Sequence, residues 1–299
     1  MNKPLTNPYK RTDVFRCRQG AHQAFEGRVS VYHVMKEKGC YPQGCLYFLW
    51  NCVLFQKGNR CVRGFKHVGR ECKGCTHYDE EKIHLQPELL LDGPSYGKLQ
   101  EDLEEFETWL GKAVYKTHSV GGRVQSVKPW FEETILPHEN HIRIRGALLV
   151  LKRGFIGMQA FDDTLYVRVS ETALRTYGFV PKMVVEMTGE LREDRGRIVI
   201  RKPSHIEILK KGWGIPLRPD RALVAVKTAA LLDRQPESCM ACPWGALADV
   251  VDRRRSEEKK YRHLYCLKGV SEPADCPVPV LRRFRRRKKS FPRSSDPRS

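Results

Sequence analysis

Cys239 and Cys242 are separated by two residues in "ESCMACPW"; Cys266 follows after 23 more residues and Cys276 after a further nine. Thiolates are soft ligands, and a Cys-x2-Cys pair is close enough to bind one metal ion together. Four thiolates complete the tetrahedral shell of zinc at about 2.3 Å per bond. They equally supply one ligand to each iron of a 4Fe-4S cubane. Two features favour the cluster. The gaps of 23 and nine do not make the paired short knuckles of a zinc ribbon. Cys242 and Cys276 each precede a proline, as does the cysteine that closes bacterial ferredoxin runs. The expectation for this set is an iron–sulfur cluster, with zinc as the alternative.

A second set lies near the N-terminus. "ECKGCTHY" holds Cys72 and Cys75 around Gly74, and "GCYPQGC" holds Cys40 and Cys45. These four are the expected ligands of a zinc ion, with an iron–sulfur cluster as the alternative. Cys52 and Cys61 are the alternates for the second pair. His67 and His77 have the chemistry to replace a cysteine, and Cys17 is left as free or structural. The clustering itself is informative: of eleven cysteines, seven fall within 17–75 and four within 239–276, with none in the 163 residues between. Cysteines used only as small core residues would be scattered.

The N-terminal "MNKPLTNPYKRTD" has no apolar stretch of a secretory signal, and no apolar run reaches the roughly 18 residues of a membrane span. The expected location is the cytoplasm, where thiols stay reduced and structural disulfides are rare. Lys and Arg exceed Asp and Glu by 54 to 35, a net charge of +19. The excess is uneven: +8 over residues 1–80, −5 over 81–140, and +8 over 281–299. The tail carries Arg282, Arg283, Arg285, Arg286, Arg287, Lys288 and Lys289 with no acidic residue among them. Such a block repels itself until it meets an anion, and binding through it would be strongly salt-dependent. DNA, RNA, ribosomes or an acidic protein partner would suit it. Nothing marks a small-molecule substrate.

The elements that must position these groups divide the chain into five stretches. Residues 1–85 read as a cysteine-rich metal module whose core is too small to stand without metal. Residues 86–138 read as a connector. It contains the amphipathic helix "KLQEDLEEFETWLGKAVY", with Leu99, Leu103, Phe106, Leu110 and Val114 on one face, followed by a Gly- and Pro-marked linker over 117–138. Residues 139–214 alternate as strands in "HIRIRGALLVL", "TLYVRVS", "VVEMTGEL" and "GRIVIRKPSHIEIL", with the short helix "ETALRTYGF" between the second and third. Residues 215–280 read as a helical domain closed by the four-cysteine site. Within it, "LRPDRALVAVKTAALLDRQ" and "WGALADVVDRRRSEEKKYRHLYCL" are expected as helices. Residues 281–299 form the basic tail.

The strand, strand, helix, strand, strand order of 139–214, with Gly146 and Gly189 at strand bends, resembles the OB-fold superfamily. The resemblance covers about a quarter of the chain and is one of element order, not of a diagnostic motif. It implies a five-stranded barrel. The expected fold class is thus α+β: an N-terminal metal module, a central five-stranded OB-like barrel and a C-terminal helical metal-binding domain. The resemblance also implies a single-strand-binding face that combines cations with aromatic platforms. Arg143, Arg145, Tyr166 and Arg168 are read as outward-facing on it, with Phe155 and Phe161 either stacking on bases or closing the barrel.

No Gly-rich phosphate loop, Gly-x-Ser-x-Gly, His-Glu-x-x-His or radical-SAM cysteine triplet occurs. The grouped carboxylates of "GKLQEDLEEF" and "ELREDRG" belong to a solvated helix face and a hairpin turn. The sequence therefore points to non-catalytic binding of single-stranded or structured nucleic acid, with structural metal. The alternative is an iron–sulfur redox protein or a subunit of a nucleic-acid-processing enzyme.

Overall fold

The computed structural model describes residues 3–254 and 257–278. The basic tail expected over 281–299 lies outside them. In chain order, the first part contains β1 (Phe15–Arg16), β2 (Arg28–Val29), β3 (Cys45–Cys52), α1 (Val53–Gln56), β4 (Tyr78–Leu85) and β5 (Glu88–Leu89). β1 is flanked by β2 and β5 in a small sheet, whereas β3 and β4 pair only with each other. Residues around that small sheet do not make a separate core. Val14, Phe15, Val31 and Val34 join one apolar cluster with the next helix and the main sheet.

That helix is α2 (Gly93–Ala113), and it buries Leu99, Leu103, Phe106 and Leu110, the stripe its spacing predicts. Asp92 caps it by accepting from the Ser95 N–H at 2.9 Å, with a proline in its first turn. The main sheet follows: β6 (Thr117–Ile135), β7 (Asn140–Ile156), β8 (Gln159–Phe161), β9 (Leu165–Val169), α3 (Glu171–Tyr177), β10 (Val184–Asp194) and β11 (Arg197–Lys210). β9 buries Leu165, Val167 and Val169 and turns Tyr166 and Arg168 the other way, the period of two expected of a strand. The "REDRG" turn sits between β10 and β11 at Arg195 and Gly196.

The chain ends its described part with α4 (Pro219–Lys227), β12 (Ala230–Leu231), α5 (Glu237–Met240), β13 (Gly245–Asp252) and β14 (Lys259–Cys266). Here the expected fold class is overturned. The structure is strand-rich, and nine strands form one mixed sheet in the order β12-β14-β13-β6-β10-β11-β9-β7-β8. It is not a five-stranded barrel bounded at 139 and 214, and its C-terminal part is not helical. β6 also pairs antiparallel with β7, and β9 pairs parallel with β11, so the middle of this sheet returns on itself.

Two misreadings account for the difference. Residues 117–135 form the longest strand, not a linker. Their glycines mark a close crossing: a Cβ on Gly121 would strike the Phe155 ring of β7. Pro129 is tolerated because β10 pairs with residues 117–123 and β13 with 132–135, which leaves Pro129 facing β7 alone. The stretch expected as a second C-terminal helix is the β13–β14 hairpin. Ala246, Ala248 and Val250 are its buried set, a period of two hidden by alanine, which favours helices intrinsically. With Phe131, Val226 and Tyr265, the two alanines make a second, smaller core. The preceding helix stops at Lys227, and its N-cap is Arg218.

Candidate metal centres and nucleic-acid interface

The β13–β14 hairpin gathers the C-terminal cysteines. Cys239 lies on the short α5, where its N–H donates to the Pro236 carbonyl. A tight turn follows, with Cys242 N–H donating to Cys239 O at 3.2 Å and Gly245 N–H to Cys242 O at 3.1 Å. A side chain at Gly245 would run into the Cys239 carbonyl, so glycine permits the turn to lie flat on the hairpin. Gly245 is the cross-strand partner of Cys266, which brings the third thiol to the same end. A turn through Gly269, whose N–H donates to Cys266 O at 3.0 Å, sends the chain back toward Cys276. All four cysteines line one cavity, with Leu232, Trp244 and Val278 as its apolar wall. Burial pushes the Cys239 thiol up, and the neighbouring Cys242, Cys276 and Cys266 push it further. A bound cation would offset that repulsion and favour the thiolate form.

Sequence reasoning missed Lys128, which lies in the stretch read as linker. Its side chain is buried, and its Nζ donates to the Gly245 carbonyl at 2.7 Å and toward the Met240 carbonyl at 3.5 Å. Burial lowers its pKa to about 8, opposed by the nearby Cys242. Lys128 therefore ties β6 to the cysteine turn. Lys128→Met is expected to lower stability by about 1–3 kcal/mol, the cost of leaving buried carbonyls unpaired. Urea unfolding with an unchanged m-value would show it; an unchanged midpoint would mean that the tether is dispensable.

The N-terminal cysteines separate into two places. Cys72 and Cys75 share a turn, with Cys75 N–H donating to Cys72 O at 2.9 Å. They line a cavity with Cys52, Cys61 and His67, so the alternates Cys52 and Cys61 stand there. Cys40 and Cys45 do not line it. The Arg63 N–H points to the Cys61 sulfur at 3.4 Å. Buried Cys40 lies near Cys45 and Cys17, and burial followed by those two thiols raises its pKa. His77 does not line the cavity. Among the described residues, no group of three or more Cys, His, Asp or Glu is arranged to hold a metal ion as it stands. Both quartets border a cavity without meeting at a point.

The residues expected to touch nucleic acid have varied surroundings. Arg143 is exposed. Arg145 pairs with Glu132 at 3.2 Å. Phe161 is 1% exposed and packs against Trp109, so it belongs to the core. Phe155 is half-buried against Gly121. Tyr166 lies between Lys10 and Arg197, 5.7 and 5.4 Å from its ring centre. The Arg168 side chain is 13% exposed and bonds Asp194 at 2.8 Å while resting on Trp130. Asp194 also receives Arg262 of β14, which bonds Asp249 at 2.8 Å through its Nε. This buried network joins the hairpin to the central strands. Arg282, Arg283, Arg285, Arg286, Arg287, Lys288 and Lys289 lie outside the described residues.

No protein-family model, curated protein or solved structure matches the chain. No helix among the described residues is long and apolar enough to cross a membrane.

Proposed function

We propose that this chain is a non-catalytic, cytoplasmic nucleic-acid-binding metalloprotein. It holds an iron–sulfur cluster at Cys239, Cys242, Cys266 and Cys276, and zinc at Cys52, Cys61, Cys72 and Cys75. The observation that carries the metal reading is the gathering of eight cysteines, from distant parts of the sequence, around two cavities. The centres are structural: each staples a segment with little apolar core of its own. The excess of positive charge supports a polyanionic partner.

Two measurements on the full chain test this reading. Metal analysis with a visible spectrum after anaerobic purification distinguishes the centres. Broad thiolate-to-iron absorption supports the cluster, zinc at both sites replaces it, and a metal-free folded protein overturns the metal reading. Binding to a labelled single-stranded oligonucleotide is expected to weaken about a hundredfold between about 50 and 200 mM salt if roughly five phosphates are neutralised. Salt-independent affinity, or no binding at the lower salt, would overturn the nucleic-acid reading. A reversible redox couple in a protein that ignores oligonucleotides would favour electron transfer instead.

A further inference from the structure

The β3–β4 hairpin projects from the body. β3 makes its substantial contacts with β4 and α1, and β4 makes its own with β3. An isolated two-stranded ribbon is marginal in water, and zinc held by the cysteine quartet at its far end, as proposed above, would supply the closure it needs. Leu46, Phe48 and Trp50 alternate along one face of β3. They are 58%, 52% and 36% exposed, and Lys82 lies opposite Phe48. Glu80, opposite Trp50, is engaged by the Tyr78 hydroxyl at 2.6 Å.

Beyond this aromatic stripe the hairpin ends in a basic cap. Residues 53–78 hold Lys57, Arg60, Arg63, Lys66, Arg70 and Lys73 against one acidic residue, Glu71. All six cations are exposed. None forms a salt bridge with a described residue; exposed Arg123, Arg143, Lys152, Arg153, Arg201 and Lys210 of the central sheet form none either, so the cap is set apart by gathering its six cations within 53–78 beside exposed aromatic rings. Exposed cations without counter-charges, next to aromatic rings on a rigid strand, match the two demands of a single-stranded nucleic acid. Its phosphates need neutralising, and its unpaired bases need stacking surfaces.

We infer that the metal-closed hairpin of residues 45–85 is the nucleic-acid-binding arm, with Phe48 and Trp50 as stacking platforms and the cap as the phosphate clamp. This rests on the nucleic-acid reading above and moves the contact surface away from the central strands. Single-stranded nucleic acid is the occupant, because a purely apolar partner would leave six cations without counter-charges.

The test uses the full-length protein and labelled 20-mers of oligo-dT and oligo-U in fluorescence anisotropy. Phe48→Ala with Trp50→Ala is expected to weaken binding by at least tenfold at fixed salt. Lys57→Gln, Arg60→Gln and Lys66→Gln together are expected to flatten the slope of log K against log salt by about 2, given about 0.7 per phosphate on single strands. The glutamine triple lies on an exposed loop, and an unchanged circular dichroism spectrum with unchanged metal content shows that the arm is intact. Wild type that binds, with both variants binding equally well and with the same slope, overturns the arm and leaves the nucleic-acid reading standing. Wild type that binds neither oligonucleotide overturns both. A wild-type dimer in light scattering that the aromatic variant converts to monomer, with no change in affinity, assigns the stripe to self-association and overturns the arm.

Discussion

Replacing Cys239 and Cys242 together by serine is expected to release one metal centre per chain and unfold the C-terminal hairpin. Serine keeps the volume but not the soft, readily ionised sulfur that zinc or iron selects. The remaining pair, Cys266 and Cys276, cannot fill a four-thiolate shell. Structural zinc sites contribute about 10–16 kcal/mol of apparent binding energy, as much as the about 5–15 kcal/mol by which whole domains are stable. The hairpin's own core is small, with Phe131, Val226, Ala246, Ala248 and Tyr265 as its buried residues. Amide exchange should therefore accelerate across β13 and β14, by about a hundredfold or more, while β7, β9 and the buried face of α2 stay protected. Metal analysis and exchange on the same sample read the two effects together. Unchanged metal content, or protection that survives metal loss, would remove the quartet from its stapling role.

Asp194→Asn is expected to destabilise the protein by about 3 kcal/mol, because it leaves two guanidinium groups facing each other in a partly buried site. The side chains of Asp194, Arg168 and Arg262 are 18%, 13% and 16% exposed, so solvent screens the network only weakly. Burial alone would raise the Asp194 pKa, but Arg262 and then Arg168 outweigh it and hold the carboxyl below its usual range. A carboxylate whose folded pKa is depressed stabilises above its unfolded value, about 3.9. That contribution is lost as the pH falls through the folded value. Wild type should lose stability on acidification faster than Asp194→Asn, and the two urea midpoints should converge toward low pH. Parallel curves would show that the network does not depend on the Asp194 charge. Because Arg262 lies on β14 and Arg168 on β9, the variant should also loosen the hairpin from the central strands.

Several features were legible in the residues alone because they depend on local chemistry. The stripe of Leu99, Leu103, Phe106 and Leu110 specifies a helix face by its spacing, and α2 buries that face. The alternation in "TLYVRVS" specifies β9 for the same reason. Cys-x2-Cys turns are defined within a few residues, and both occur. The strand, helix and strand order of 139–210 was also readable.

Other features depend on partners that no local pattern contains. Gly121 and Pro129 read as linker signals because only β7 and the gap between β10 and β13 make them strand residues. The alanines of β13 read as helix because the face they bury is set by β6 and Phe131. Arg168 looked outward because alternation gives the side of a strand but not what covers that side, and Asp194 and Trp130 cover it.

The sequence by itself determined the residues on which the metal and polyanion proposals rest: eleven cysteines in two clusters and a net charge of +19. Only the tertiary structure decided which thiols share a cavity and which cations pair with a carboxylate among the described residues. Thiolate chemistry belongs to a residue and its near neighbours. Convergence and ion pairing belong to distances between segments, and strand pairing sets those across the whole chain. That is why Cys52 and Cys61 stand with Cys72 and Cys75 while Cys40 and Cys45 do not.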